Sequence, residues 1–320
     1  MNTHAFGRLA PVSVLTLGGG GLGQLWGPTT REECVATVRA AVDAGVTLLD
    51  LAPRYGDGKA EQVVGEAFGG RLPSGVRVTS KCNLGNPPPE RIERILRQSI
   101  EASLRLTQLD RLDLFFLHSN IVPRGNAMWR RVDTSRFVPL ELFQDAIRPM
   151  FERFVAEGLI AAWGITGIGD PEAILTVLGQ EPKPAAVQVI ANLLDSPGGL
   201  KFFDGAARPR EIMAAAHAND VAVMGIRAVQ AGALTAAIDR PLPADHPEML
   251  DFARAAGFRA LCGELGENPA VLAHRYALTL PVDTLVLGVK NRQELAECVA
   301  AADAGALSAD VIARIDASVA

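Results

Sequence analysis

Short apolar, β-branched runs recur along the chain, and a longer segment of helical character follows each one. The runs are VSVLTLG (12–18), VTLLDL (46–51), VRVTSK (76–81), LDLFFLH (112–118), AAWGIT (161–166), AAVQVIA (185–191), VAVMGI (221–226) and TLVLGV (284–289). Strands that alternate with helices pair in parallel through right-handed crossovers. Eight such units close on themselves, so the expected fold is α/β, a single (β/α)8 TIM barrel spanning residues 1–320 as one domain.

The helical segments carry their own boundary signals. In TTREECVATVRAAVDAG, Thr30 stands as an N-cap with Glu33 three residues on, and Gly45 ends the segment, the pattern of a capping box followed by a C-terminal glycine. PPERIERILRQSIEASLRL opens on prolines and repeats apolar residues through Ile92, Ile95, Leu96, Ile100 and Leu104. Two long connections interrupt the rhythm, at residues 119–139 and 227–247. Both follow strands, so both belong to the barrel face where active sites form.

Composition narrows the function without naming it. The chain is 48% hydrophobic and 21% charged, with a net charge of −5 and both signs spread along it. That balance excludes a disordered chain and gives no basic stripe for nucleic acid or an acidic membrane, leaving small molecules as the expected partners. No stretch reaches the length of a membrane span, and the N-terminus does not read as a secretory signal. Cys34, Cys82, Cys262 and Cys298 lack metal or redox spacing, so no metal is expected and a reducing cytoplasm is the expected location. Nothing in the sequence sets the oligomeric state.

Three strands end on polar residues: Asp50, Lys81 and His118. Tyr55 follows Asp50 in the loop APRYGDG. Side chains at barrel-strand ends converge over the mouth, and this quartet suits carbonyl reduction. Hydride arriving at a carbonyl carbon leaves charge on oxygen, which needs a proton donor. A phenol, with pKa near ~10, is a reluctant acid, and an adjacent ammonium lowers that value. Lys81 is the ammonium, Asp50 holds it charged, and His118 donates a hydrogen bond to the substrate oxygen.

At these residues the chain resembles the aldo-keto reductase superfamily. GVTLLDLAPRYGDGKAEQVVGEAF is similar to that family's Asp-x4-Tyr-Gly signature, VRVTSK to its lysine strand, and EASLRLTQLDRLDLFFLHS to the helix and strand leading to its histidine. The likeness continues through EGLIAAWGITG, AAVQVIANLLD and LVLGVKNRQELAE. It implies a catalytic tetrad of Asp50, Tyr55, Lys81 and His118 and a nicotinamide coenzyme; the two cations Lys290 and Arg292 favour NADP, with NAD left open by the carboxylate of Glu294.

The resemblance also implies coenzyme contacts. Gln188 and Thr166 face the carboxamide, although Gly167 replaces the usual asparagine. Ile226 stands in place of an aromatic ring against the nicotinamide. Gly288, Lys290, Arg292, Glu294 and Glu297 lie in the segment for the adenosine end, where Lys290 and Arg292 meet the extra phosphate of NADP, Glu294 opposes it, and Cys298 replaces an asparagine. GGGG (18–21) lacks a Walker or dinucleotide fingerprint and reads as a flexible bend, with Gly19 and Gly20 allowing close approach of the nicotinamide.

The Thr-Gly pair after the fifth strand resembles the sugar-dehydrogenase branch and points to a sugar or polyol-like substrate. Trp26, Trp129, Arg130 and Arg131 are candidates for the substrate pocket or plain surface. Arg227 is a candidate for binding a polar or anionic substrate group, or for a salt bridge within its loop. Two other functions remain open on the sequence: a Schiff-base lyase or aldolase using Lys81, and a nucleotide-binding regulatory barrel.

Overall fold

A computed structural model of the chain describes residues 1–124 and 136–319. Its centre is a closed barrel of eight strands: β1 (Leu15–Gly18), β2 (Leu48–Asp50), β3 (Arg77–Cys82), β4 (Leu112–Leu117), β5 (Ile160–Thr166), β6 (Ala186–Ile190), β7 (Ala222–Ile226) and β8 (Thr284–Leu287). Neighbours in sequence are neighbours in the barrel, all pairs are parallel, and β8 closes onto β1 through Leu285↔Leu15 and Leu287↔Leu17. Parallel strands need crossovers, which α1 (Arg31–Asp43), α2 (Lys59–Phe68), α3 (Ile92–Thr107), α4 (Arg148–Ala156), α5 (Pro171–Gly179) and α6 (Pro209–Ala218) supply. Three helices, α7 (Pro247–Arg254), α8 (Ala256–Leu265) and α9 (Pro269–Ala277), lie between β7 and β8; α10 (Arg292–Asp303) and α11 (Ala309–Ala317) follow β8.

The first apolar run divides in two. Leu9–Ser13 pairs with Thr3–Phe6 as an antiparallel hairpin outside the barrel, and β1 begins only at Leu15. The break is held locally, because Ser13 Oγ donates to Leu15 O at 2.6 Å and accepts from Thr47 N at 2.9 Å. Phe6 and Val12 of the hairpin are fully buried against Leu48, Leu114, Phe116, Ala186, Ala222 and Met224, so the hairpin seals one end of the barrel with apolar side chains. The opposite, C-terminal end stays open.

Local rules account for the helix that follows β1. Thr30 Oγ1 accepts from Glu33 N at 3.1 Å, which caps α1 as the spacing predicts. The reciprocal half of the capping box does not form, because both oxygens of Glu33 are taken by Arg292. The glycine run differs from expectation too. Gly19–Leu22 is one buried helical turn rather than a flexible bend. A Cβ on Gly21 would sit 1.8 Å from Val289 O and one on Gly18 would sit 2.3 Å from Leu287 O, so these glycines allow the chain to press against the end of β8.

Within the first long connection, Asn120–Val122 and Phe137–Pro139 pair as two short parallel strands over the barrel mouth. Trp129, Arg130 and Arg131 lie outside the described residues. No helix among the described residues is long and apolar enough to cross a membrane.

Candidate active site

The strand register places five polar side chains, Asp50, Thr79, Lys81, Thr166 and Gln188, on the inner face at the open end. Asp50 pairs with Thr79 across β2 and β3, so Lys81, two residues further along β3, faces inward one step nearer the mouth. Gln188 on β6 pairs with Thr166 on β5 and reaches across the interior. Its Nε2 donates to Asp50 Oδ1 at 2.8 Å, and Thr79 Oγ1 donates to the same oxygen at 2.7 Å. Thr79 is a partner that the sequence reading missed, though the period-two spacing from Lys81 signals a shared face.

Lys81 is wholly buried, and its ammonium has three acceptors: Asp50 Oδ2 and Leu51 O at 2.8 Å each, and Tyr55 OH at 3.2 Å. Three protons meet three acceptors. Burial alone would favour the neutral amine, but the Asp50 carboxylate and Tyr55 outweigh it and raise the pKa of Lys81. An amine held charged in this way has no lone pair for a Schiff base, so the lyase reading of the sequence has no support in this geometry.

Tyr55 is brought to Lys81 by a tight loop. Tyr55 N donates to Ala52 O at 3.0 Å, and Gly56 and Gly58 take positive φ of 68° and 84°. Gly23 receives this loop at close range, since a Cβ there would stand 2.4 Å from the Tyr55 carbonyl carbon. Burial raises the phenol pKa above its ordinary value; Lys81 pulls it down and Asp50 pushes it up. Lys81 lowers the value as the sequence reading expects, but burial outweighs it and the net direction is upward. Tyr55 is therefore a protonated phenol, held on the charged Lys81.

His118 follows β4, with its backbone N–H on Cys82 O at 2.8 Å, and its ring meets Tyr55 edge to face with centroids 5.9 Å apart. Burial and then the charges of Lys81, Arg54 and Arg136 hold its pKa well below the usual range, so the imidazole is neutral. Its Nδ1 is buried with no partner, as is Thr166 Oγ1. Unpartnered buried polar atoms are costly, and both line the open cavity, where a bound molecule can satisfy them.

That cavity, about 680 Å³, runs from His118 and Tyr55 across Gln188 to Lys290 and Glu294. A nicotinamide coenzyme fits the residues present. Gly19 and Gly20 give a wall without side chains beside Tyr55, Thr166 and Gln188 offer polar atoms at the centre, and Ile226 gives an apolar edge. The far end is lined by Gly288, Lys290, Glu294, Glu297 and Cys298. Trp26 lies on this coenzyme side: its indole nitrogen would stand 2.6 Å from a Cβ on Gly20 and 3.3 Å from one on Gly288. Arg240 stacks on it at 6.0 Å.

Two cations proposed from sequence are committed elsewhere. Arg292 is 60% exposed, binds Glu33 at 2.9 Å, and does not line the cavity. Its place at the start of α10 turns it toward α1 instead. Arg227 does line the cavity, but its guanidinium is nearly buried against Glu248 at 2.9 Å and Gln230 at 2.9 Å. It forms a salt bridge to α7, just beyond its own loop, rather than one within the loop. Lys290 Nζ is at the cavity but pairs with Glu294 at 3.1 Å, and Glu294 also accepts from Lys290 N at 3.0 Å. Among the described residues no cluster of histidine, cysteine, aspartate or glutamate is placed to hold a metal ion.

Comparison with known proteins gives a consistent family. The profile of the Aldo/keto reductase family matches residues 14–320. The L-galactose dehydrogenase of Arabidopsis thaliana is 25% identical over 296 residues, 91% of this chain and 84% of that protein. A methylglyoxal reductase of Escherichia coli is 34% identical over 138 residues, covering 43% of this chain and 40% of that one. Among solved structures, an aldo-keto reductase from Klebsiella pneumoniae in complex with NADPH superposes with a TM-score of 0.69 at 24% identity, over 99% of this chain and 94% of that one. One from Bacillus halodurans gives 0.70 at 21% identity, over 100% and 97%. At these identities the structural likeness bears on the fold, which is the same barrel.

Proposed function

The chain belongs to the aldo/keto reductase family, an NAD(P)-dependent oxidoreductase family acting on small carbonyl or alcohol substrates, and from this premise we propose roles for its residues. Tyr55 is the general acid in reduction and the general base in oxidation, Lys81 stabilises its phenolate, Asp50 orients and charges Lys81, and His118 donates a hydrogen bond to the substrate oxygen. The observation that carries the assignment is the unbroken chain Asp50–Lys81–Tyr55, with links of 2.8 and 3.2 Å, ending on a phenol at the cavity floor.

The bound nicotinamide supplies or accepts the hydride. The protein's own residues do the rest. A carbonyl oxygen seated between Tyr55 and His118 meets two donors, so charge that develops on it is stabilised before the proton moves. The proton passes from the Tyr55 hydroxyl to that oxygen, and the phenolate left behind rests on the Lys81 ammonium. His118 serves as a neutral donor, because its surroundings disfavour the imidazolium.

Thr166, Gln188 and Ile226 are proposed to hold the nicotinamide end, and Gly288, Lys290, Glu294 and Glu297 the adenosine end. For Gln188 this means sharing its amide between Asp50 and the coenzyme. NADP is the proposed coenzyme. Its support is the cation Lys290 at the far end of the cavity and the NADPH and NADP found in the Klebsiella pneumoniae structures. Lys290 must then exchange Glu294 for phosphate. The proposed substrate is a sugar or similar polar carbonyl or alcohol. L-galactose dehydrogenase and D-threo-aldose 1-dehydrogenase among the relatives support this, as does a cavity lined by both polar and apolar groups. The proposed location is the cytoplasm, consistent with four buried cysteines that are all free.

The test is a coenzyme-coupled absorbance screen of aldoses, aromatic aldehydes and short ketones with both coenzymes. Turnover that Tyr55→Phe abolishes supports the assignment. Tight coenzyme binding with no turnover across the panel would favour a nucleotide-sensing barrel instead.

A further inference from the structure

Two arginines on the His118 side of the cavity have no carboxylate partner among the described residues. Arg54 directly precedes Tyr55 in the loop after β2, lines the cavity and is otherwise exposed. Arg136 lies in the connection after β4, just before the short strand Phe137–Pro139, and also lines the cavity. Its guanidinium stacks over Phe202 at 5.3 Å, and that ring is braced edge-on by Phe137 at 5.6 Å. Stacking fixes the plane of the guanidinium but leaves its charge and its hydrogen-bonding edge unmet. Both charges reach His118, where they act with Lys81 against its protonation.

The other cations around the cavity are accounted for. Lys81 holds Asp50, Arg227 holds Glu248, Arg240 holds Asp239 and Lys290 holds Glu294. The carboxylates on the cavity wall are distributed just as unevenly. Asp239, Glu294 and Glu297 stand on the segments after β7 and β8, toward the coenzyme end, and Asp50 is already paired beneath the mouth. Among the described residues, the region around His118 is therefore a positive pocket with no anion of its own. Its neighbours Ile168, Leu200 and Phe202 are apolar, which strengthens a charge interaction made there.

We propose that the substrate carries an oxyanion group, carboxylate or phosphate, which Arg54 and Arg136 receive while its carbonyl faces Tyr55 and His118. The inference rests on the oxidoreductase reading for the carbonyl, whereas the anion site rests on the two arginines alone. The coenzyme's phosphates do not need these residues, since the groove leaves the tetrad in the other direction, toward Lys290 after β8. Arginine suits the role because its planar fork matches carboxylate and phosphate with paired hydrogen bonds. The cationic substrate contact that the sequence suggests at Arg227 thus moves to the opposite wall of the cavity.

The experiment compares matched aldehydes with NADPH at low salt: 4-carboxybenzaldehyde against benzaldehyde, and glyceraldehyde 3-phosphate against glyceraldehyde. The expected result is a kcat/KM at least about tenfold higher for the anionic member of one pair, shrinking as salt is raised. Which pair shows it tells carboxylate from phosphate. In the double variant Arg54→Gln, Arg136→Gln the anionic-to-neutral ratio should fall to near one. A ratio near one in the wild type, or a preference that survives the double variant, overturns the proposal while leaving the oxidoreductase reading intact. If none of the four aldehydes is reduced, the oxidoreductase reading is judged by the broader screen with both coenzymes, and calorimetry with benzoate, inorganic phosphate and benzamide decides the anion site. Binding of either anion, absent for benzamide and lost in the double variant, supports it; no anion binding overturns it.

Discussion

Gln188 Nε2 and Asp50 Oδ1 meet at 2.8 Å across the barrel interior, joining β6 to β2. With Thr79 on the same oxygen and Lys81 on the other, both oxygens of Asp50 are engaged by the protein. The carboxylate is thereby kept away from substrate and committed to aiming the ammonium. In the proposed mechanism the chemistry at the mouth falls to Tyr55.

Tyr55→Phe should lower kcat by about 100- to 10,000-fold with little change in coenzyme affinity, because the ring still packs against His118 and only the proton donor is lost. Stopped-flow turnover alongside a coenzyme fluorescence titration measures both. A mutant that keeps a tenth or more of the wild-type rate would remove Tyr55 from the acid role.

The same residue sets the pH dependence. Burial raises its pKa above the ordinary phenol value, so the acid form persists through the neutral range, while the base form needs alkaline pH. Carbonyl reduction should therefore hold level from pH 6 to 8, as round numbers, with alcohol oxidation climbing on the alkaline side. Profiles of kcat/KM in both directions are the check. A reduction limb that falls as pH rises through the ordinary histidine range would mean that His118 acts as imidazolium.

Lys81 and Asp50 form a buried ion pair, 0% and 2% exposed. Lys81→Met leaves the carboxylate buried without its countercharge and should cost about 3–5 kcal/mol in denaturant unfolding. Lys81→Met combined with Asp50→Asn should recover part of that loss, since no lone charge remains. A double variant as unstable as the sum of the single ones would show that the pair is not energetically coupled.

Behind β3, Glu61 is fully buried and accepts from Ser80 Oγ at 2.7 Å, and its second oxygen is unpartnered. Burial raises its pKa, opposed by the hydroxyls of Ser103 and Ser80 and by the charge of Lys81. A raised folded-state value means that its contribution to stability is complete below the unfolded carboxyl pKa and is lost as pH climbs through the folded one. Glu61→Gln keeps an acceptor for Ser80 and removes the titration. Its melting temperature relative to wild type should therefore rise from pH 4 to pH 8. A difference that stays flat over that range would place the ionisation elsewhere.

Glu294 holds Lys290 through both its side-chain ammonium and its backbone N–H. Glu294→Gln should leave the ammonium only its longer contact with Asp239 at 3.8 Å and shift the ratio of kcat/KM toward NADP by about tenfold, the equivalent of roughly 1.4 kcal/mol. No shift, or a variant that still strongly prefers NAD, would show that Lys290 does not meet the extra phosphate.

The sequence by itself determined the barrel and the members of the candidate tetrad. Periodicity is a local property: apolar runs ending in Asp50, Lys81 and His118 mark strand ends, and parallel closure then brings those ends to one face. Thr30 as a helix cap was legible for the same reason, because its partner is three residues away. What only the tertiary structure decided are pairings between distant segments. Arg292 turns to Glu33 and Arg227 to Glu248, leaving Arg54 and Arg136 as the cavity-lining arginines without a carboxylate partner among the described residues. The glycine run became a buried turn because Val289 packs against it, and the Tyr55 phenol was raised because burial outweighs the lysine beside it. Charge and burial depend on what the fold brings near a group from elsewhere in the chain, and one strand's sequence does not encode that.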